Sequence, residues 1–273
     1  MLSTNQTKRN SKEVPEMGIV KRDPYLAPYE SAIKGRHDHA LWKLNQLTQG
    51  GKFSLSEFAN GYQYYGLHHE SDGWIFREWA PNATDIYLVG DFNNWQETIA
   101  YKCKRDVDTG DWELKLPEDA IQHGQFYKMH VYWNGGKGER IPAWAQRVVQ
   151  DPQTGIFSAQ VWSPNAPYVW KINSFNPQTS PLLIYECHIG MGQDAEKVGT
   201  YNEFREKVLP RIVKDGYNAI QIMAIQEHPY YGSFGYHVSS FFAPSSRFGT
   251  PEELKALVDD AHEAGIAVIM DIV

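Results

Sequence analysis

The stretch that decides the fold is Glu263–Val273, EAGIAVIMDIV. Ile266, Val268, Ile269, Ile272 and Val273 form a nearly continuous apolar run, with one acidic residue, Asp271, close to its end. Such runs are typical of strands buried on both faces, inside a parallel sheet. In α/β enzymes the chemistry gathers just past the C-terminal ends of those strands.

Working back from this strand, Thr250–Gly265 reads as the helix that feeds it. Thr250 is the N-cap, Pro251 takes the first helical position and Glu253 closes a capping box. Leu254, Leu257, Val258 and Ala261 make the buried stripe, and Gly265 ends the helix. A long loop, Gln226 to Gly249, precedes it, and before that NAIQIMAI (Asn218 to Ile225) is a second buried strand. Thr200 and Glu203 open another helix in capping-box spacing, with Phe204, Val208 and Ile212 on one face and Pro210 placed to kink or split it. LLIYECHIG (Leu182 to Gly190) is the first strand. The order β-α-β-α-β specifies a parallel sheet with right-handed crossovers. It fits a doubly wound sheet or the opening of a (β/α)8 barrel, and periodicity leaves both open.

Upstream the period changes. From about Gly61 to Trp162, short strands alternate with turns every 8–12 residues or so, as in an all-β sandwich. In DWELKLP, Trp112, Leu114 and Leu116 alternate with Glu113 and Lys115, so Trp112 reads as core. In DIYLVGDF, Ile86 and Leu88 alternate with Tyr87 and Val89. NGGKGER, after FYKMHVYW, reads as a Gly-rich turn and lacks the pattern of a phosphate cradle. The chain therefore parses into a polar, disordered tail (1–22), a helical segment (23–60), a β-sandwich (61–165), a Pro- and Asn-rich linker (166–181) and a parallel α/β region (182–273). A sandwich with its own core should resist limited proteolysis while the chain beyond Ser163 is trimmed. In the helical segment Ile33, His37, Leu41, Leu44 and Leu47 recur at helical spacing. His37 and His39 invite a metal reading, but no suitable third ligand is near, and a solvated helix face is the expectation. No metal or cofactor is expected.

Bulk properties narrow the function. The formal net charge of −7 argues against phosphate-backbone binding and hence nucleic acid. No apolar run approaches the ~20 residues that span a bilayer, so no membrane partner is expected. Cys103 and Cys187 are far apart and lack CxxC spacing, which favours a reducing cytoplasm. Asn82-Ala83-Thr84 matches a glycosylation triplet, but no secretion signal accompanies it. Aromatic residues make up 14% of the chain, many of them between residues 60 and 175. Flat rings of this kind suit the apolar faces of glucose units.

Two stretches carry a resemblance. FREWAPNATDIYLVGDFNNWQ (Phe76 to Gln96) is similar to the immunoglobulin-like glycogen-binding module that precedes the catalytic barrel in branching and debranching enzymes. The sequence from Asn218 to Val273 resembles the first barrel strands of 1,4-α-glucan branching enzymes in the α-amylase superfamily, and DPYLAPY, IYECHIG and KVLPRI fit the same family. The implied fold is multidomain, β plus α/β: a β-sandwich carbohydrate-binding module followed by the truncated start of a (β/α)8 barrel. The implied function is transfer of α-1,4-glucan segments to 6-hydroxyls by a retaining mechanism, in glycogen biosynthesis, with α-glucan as partner. A debranching relative of isoamylase or pullulanase type, or a non-catalytic glycan-binding protein, is the alternative.

The resemblance also assigns residues. Tyr236 matches a tyrosine that stacks on glucose at the cleavage point, Asp271 the aspartate of the first signature region, and His188 a supporting residue on the first strand. Trp79, Pro81, Trp95 and Lys128 match module positions that contact malto-oligosaccharide. The nucleophile aspartate and acid/base glutamate map onto no residue here, so an N-terminal fragment without catalytic residues is expected. Glu186 and Asp271 are strand-end carboxylates, but no spacing argument pairs them as the two carboxyls of a retaining reaction.

Overall fold

The computed structural model describes residues 18–177 and 181–273. Of the tail expected over residues 1–22, residues 1–17 lie outside them. The chain divides into two compact units, residues 1–61 and 62–273.

The first unit is helical. Helix α1 (Gly18–Arg22) is one turn, within the stretch expected as tail. A 3₁₀ turn over Pro24–Tyr29 follows, its N-cap Asp23 accepting the Tyr25 N–H at 3.0 Å. Helix α2 (Glu30–Leu47) realises the helical spacing. Of its apolar stripe, Ile33, His37 and Leu47 are half-buried and Leu41 and Leu44 exposed. Ser54 and Glu57 cap α3 (Leu55–Phe58) reciprocally, and α4 (Gly61–Tyr64) leads on.

The second unit opens on Tyr62–Tyr64 of α4 and continues into the sandwich. Its strands are β1 (Gly66–Glu70), β2 (Gly73–Trp79), β3 (Ala83–Gly90), β4 (Lys104–Arg105), β5 (Asp111–Leu116), β6 (Phe126–Trp133), β7 (Gly136–Arg140), β8 (Val148–Gln150) and β9 (Phe157–Gln160). One antiparallel sheet runs β1-β2-β5-β4, and the other β3-β6-β9-β8 with β7 beside β6. The inward faces interdigitate in one core that includes Phe76, Trp112 and Leu114 from the first sheet and Ile86, Leu88 and Met129 from the second. Trp112 is core, as read from its alternation, and its indole N–H is satisfied by the Ala80 carbonyl at 2.9 Å. Two details differ from the sequence reading. Val89 is buried along with Ile86 and Leu88, so β3 does not alternate cleanly. Most of NGGKGER is strand β7, whose glycines lie flat under the Trp133 ring, a packing that glycine composition conceals.

Three parallel strands follow: β10 (Ile184–Cys187), β11 (Ala219–Ile222) and β14 (Ala267–Met270), in that order across the sheet, with Ile184, Ala219 and Ala267 in register. Between β10 and β11 the helix is split, as Pro210 foretold: α5 (Tyr201–Glu203), a π turn (Phe204–Val208) and α6 (Leu209–Lys214). Proline cannot donate to the carbonyl one turn back, and the π turn closes instead through Leu209 N–H to Phe204 O. The loop expected over 226–249 contains a two-stranded antiparallel pair, β12 (Gln226–Glu227) and β13 (Ser240–Pro244). Helix α7 (Pro251–Glu263) carries the capping box of Thr250 and Glu253. The helices cover Cys187, Ile220 and Ile222 on one face of the parallel sheet, whereas Ile184 and Glu186 on the other are exposed. Among the described residues the three strands form an open sheet, not a closed barrel.

The sandwich and the parallel sheet do not part at residue 165. Ala243 of β13 belongs to the sandwich core. Trp144 stacks on Phe242 at 3.9 Å, Trp162 donates to Glu252 at 2.6 Å, and Arg147 donates to the Gly249 carbonyl at 3.1 Å. The segment expected as a linker is itself pinned to α7. Asp259, with no exposed surface, accepts the Tyr168 hydroxyl and the Lys171 and Ile172 N–H groups at 2.7, 2.8 and 3.0 Å. Phe175 stacks on His262. A proteolytic cut just past Ser163 is therefore not the expected outcome.

Burial pushes the Asp259 carboxyl up, but its three donors and the Lys171 ammonium outweigh burial and hold it below the ordinary aspartate range. A carboxyl depressed by folding contributes stability above its unfolded pKa and loses it as pH falls through the folded pKa. Asp259→Ala should cost about 3 kcal/mol at neutral pH, because it orphans buried donors. The deficit should shrink in urea titrations below about pH 4, and residues 166–177 should become the first site of protease attack. A variant as stable and as resistant as the parent would show that the pin carries no load.

Candidate functional site

The C-terminal ends of the parallel strands bring Tyr236 and Asp271 together. Asp271 follows β14 directly, its N–H bonded to the Ile222 carbonyl at 3.1 Å, which fixes where its carboxylate points. Tyr236 arrives from the loop between β12 and β13 and donates its hydroxyl to Asp271 Oδ2 at 2.8 Å. That bond to Asp271 raises the phenol pKa above its usual value, so the proton stays on the tyrosine. The ring is 39% exposed, leaving surface for a ligand. The turn before it is tightly specified: Phe234 and Gly235 are both left-handed, with φ of 55° and 93°. A Cβ on Gly235 would overlap the Ala224 carbonyl, so only glycine fits there.

His188 lies one residue past β10 but makes no hydrogen bond with this pair. It is buried, with the edges or faces of Tyr231, Phe234 and Phe248 at 5.5–5.8 Å. Neither ring nitrogen has a partner among the described residues. Burial, and next the neighbouring His228, hold its pKa below the ordinary histidine value, so it stays neutral at pH 7. Its link to Tyr236 is through packing on Phe234, two residues away. Glu186 is exposed, and its charge is felt at the Tyr236 hydroxyl.

On the sandwich the four expected residues fall in two places. Trp79 and Pro81 precede the first residue of β3, and Trp95 follows its last. The extended strand between separates them by roughly 23 Å. At the first place Trp79 is 58% exposed, its indole N–H held by the Thr109 carbonyl at 3.1 Å. Pro81 packs against Gly110, and its carbonyl accepts from Arg105 at 2.6 Å. At the second, Asn94 and Trp95 are consecutive left-handed residues, with φ of 53° and 59°. A bulky side chain there is strained. The Trp95 N–H to Gly90 O (2.9 Å) and the indole N–H to Asp91 (3.0 Å) hold it half-exposed. Lys128, in register with Val89 at this end, is occupied by Glu139 at 2.9 Å, with its side chain only 12% exposed.

Sequence reasoning missed the carboxylate that organises the loop. Glu227 is 1% exposed and accepts from Ser246 N and Oγ, both at 2.7 Å, and from His228 N at 3.1 Å. An acidic residue two positions past the strand read at Asn218 to Ile225, and 18–19 residues before a serine pair, was the available signal, but nothing local linked the two.

Comparison with known proteins accounts for both halves of the second unit. Residues 64–153 match the family model for carbohydrate-binding module 48 (isoamylase N-terminal domain), and residues 192–273 match the α-amylase catalytic domain. The chain is 42% identical to the 1,4-α-glucan-branching enzyme of Dictyostelium discoideum, over 96% of this chain and 39% of that protein. It is 44% identical to that of Rhizophagus irregularis, over 98% and 40%, and 43% identical to that of Saccharomyces cerevisiae, over 94% and 39%. It thus spans about two-fifths of the length of these relatives. Among solved structures, a putative α-amylase from Salmonella typhimurium superposes with a TM-score of 0.62 at 23% identity, covering 76% of this chain and 32% of that one. A pullulanase from Paenibacillus barengoltzii, in complex with maltohexaose and α-cyclodextrin, does so with 0.62 at 22%, covering 84% and 41%. These likenesses show the fold, whereas the identities narrow the family: the chain belongs to the 1,4-α-glucan-branching enzymes of the α-amylase superfamily.

Proposed function

We propose that the chain serves the transfer of α-1,4-glucan segments to 6-hydroxyls by a retaining mechanism, in cytoplasmic glycogen biosynthesis, and that its own share of the work is to hold the glucan. The observation that carries this reading is the Tyr236–Asp271 pair at the strand ends, a half-exposed ring fixed in angle by a 2.8 Å bond to a carboxylate. A flat aromatic face against the C–H groups of a pyranose gains apolar contact, and an ionised carboxylate beside it accepts sugar hydroxyls. Asp271 is the organiser of this subsite and Tyr236 its platform, with His188 as the dry wall behind Phe234. On the sandwich, Trp79 with Pro81 and Trp95 with Lys128 act as two separate glucan contacts rather than one. The two free, buried cysteines accord with a reducing compartment.

A retaining transfer needs a nucleophile and an acid about 5–5.5 Å apart. Asp271 is engaged by Tyr236, and Glu186 stands exposed without a partner carboxyl assigned to it. The 273-residue chain should therefore bind amylose without branching it, which iodine staining and chain-length analysis check. Turnover that vanishes in Glu186→Gln or Asp271→Asn would refute this.

Retention should depend on the rings. In native gels containing glycogen, Trp95→Ala and Tyr236→Ala should each weaken affinity roughly tenfold, the effect of about 1–1.5 kcal/mol of lost stacking. Tyr236→Phe, which keeps the ring and frees Asp271, should fall between. Unchanged migration with an unchanged far-UV spectrum would remove that residue from the site.

A further inference from the structure

We infer that the chain carries a further track for an α-1,4-linked glucan, in a furrow that starts where the sandwich meets β13 and α7 and runs on along the sandwich to Asn165. The linkage class rests on the glucan reading above, but the furrow uses none of the residues named there.

Three cavities join end to end. The first, of about 330 Å³, lies between Trp144 and Trp162 of the sandwich and Phe242, Pro251 and Leu254 of the α/β region. It shares Gln146 and Trp162 with a second, of about 220 Å³. The second shares His69, Trp74 and Ser163 with a third, of about 700 Å³. Each larger pocket is within the ~300–1,000 Å³ range of small-molecule sites, and their linear arrangement suits a chain rather than a compact ligand.

The lining selects the chemistry of the occupant. At the first cavity the Trp144–Phe242 stack leaves Phe242 43% exposed, and Tyr62 adds a ring that is 49% exposed. Apolar faces of this kind take the C–H side of a sugar ring. The side-chain amides of Gln146, Gln122 and Asn165 are spaced along the furrow and make no hydrogen bond among the described residues. An amide offers both donors and an acceptor, which matches hydroxyl groups. The ionic groups, by contrast, are mostly spent. Glu118 is bound by His69 at 2.7 Å, Lys255 by Glu252 at 3.3 Å, and Glu252 also receives the Trp162 indole. A charged ligand would have to break these pairs, whereas a neutral polyhydroxylated chain would not. A glucan lying here would touch both halves of the unit at once.

The test is calorimetry of maltoheptaose with the 273-residue chain. In a Trp79→Ala/Trp95→Ala/Tyr236→Ala background, a residual class of binding should remain. Adding Phe242→Ala and Gln146→Ala should weaken that class about tenfold or more. Phe242→Ala/Gln146→Ala alone should keep the Trp95-dependent binding, which shows that it is folded. Independently of any substitution, a photoreactive maltoheptaose should label the unaltered chain within residues 142–147 and 241–255. The proposal is overturned if the triple background binds nothing, if its residual binding ignores Phe242 and Gln146, or if the label falls elsewhere, and in each case the glucan reading survives. If the unaltered chain binds no maltoheptaose at all, both readings fall together.

Discussion

The Glu227 carboxylate is the fixed point of the second unit. A charge removed from water costs several kcal/mol unless hydrogen bonds replace the lost solvent. Here the Ser246 N–H and hydroxyl, the His228 N–H and the Ser245 hydroxyl do so. The effect is to staple the last residue of β12 to the chain just past the end of β13. The chain between has to turn back on itself. Tyr236 is delivered to the strand ends, Phe242 to the face of Trp144, and Ala243 to the sandwich core. The Ser245 carbonyl meanwhile takes the buried Tyr201 hydroxyl at 3.0 Å, which ties the first crossover helix to the same point. Remove the carboxylate and the loop loses four of the hydrogen bonds that fold it back.

That staple explains why the two architectures behave as one body. Sandwich modules joined by a flexible linker reorient freely. Here the joint is made by a stack, two charge-assisted or indole hydrogen bonds and an aspartate that consumes the linker's own amides. The distance between the outer face of the module and the strand ends is consequently set by packing, not by the reach of a tether.

Much of this was legible in the sequence, and the reasons differ by element. The parallel strands and α7 were readable because an apolar run and a capping box are local signals: Thr250, Pro251 and Glu253 lie within four residues of one another. Pro210 announced the broken helix for the same reason. The pairing of Tyr236 with Asp271 was not legible as a contact, since 35 residues separate them and only the hairpin brings them together. The hairpin was hidden because its strands are short and its closure depends on Glu227. β7 was hidden because glycine reads as turn wherever a neighbouring ring, here Trp133, requires a flat strand. The engagement of Lys128 by Glu139 and of the linker amides by Asp259 likewise belongs to three-dimensional neighbours that no spacing reveals.

The left-handed backbone at Trp95 sets stability against the use proposed for that ring, at a single position. Glycine or asparagine would occupy φ of 59° at little cost, whereas tryptophan stores strain of the order of 1 kcal/mol or more. Selection for thermal tolerance alone would therefore discard the indole, and only selection for the glucan contact proposed for it would keep it. The residue found at this position in a laboratory-evolved lineage would thus record which pressure had acted on it, independently of any assay of the lineage itself.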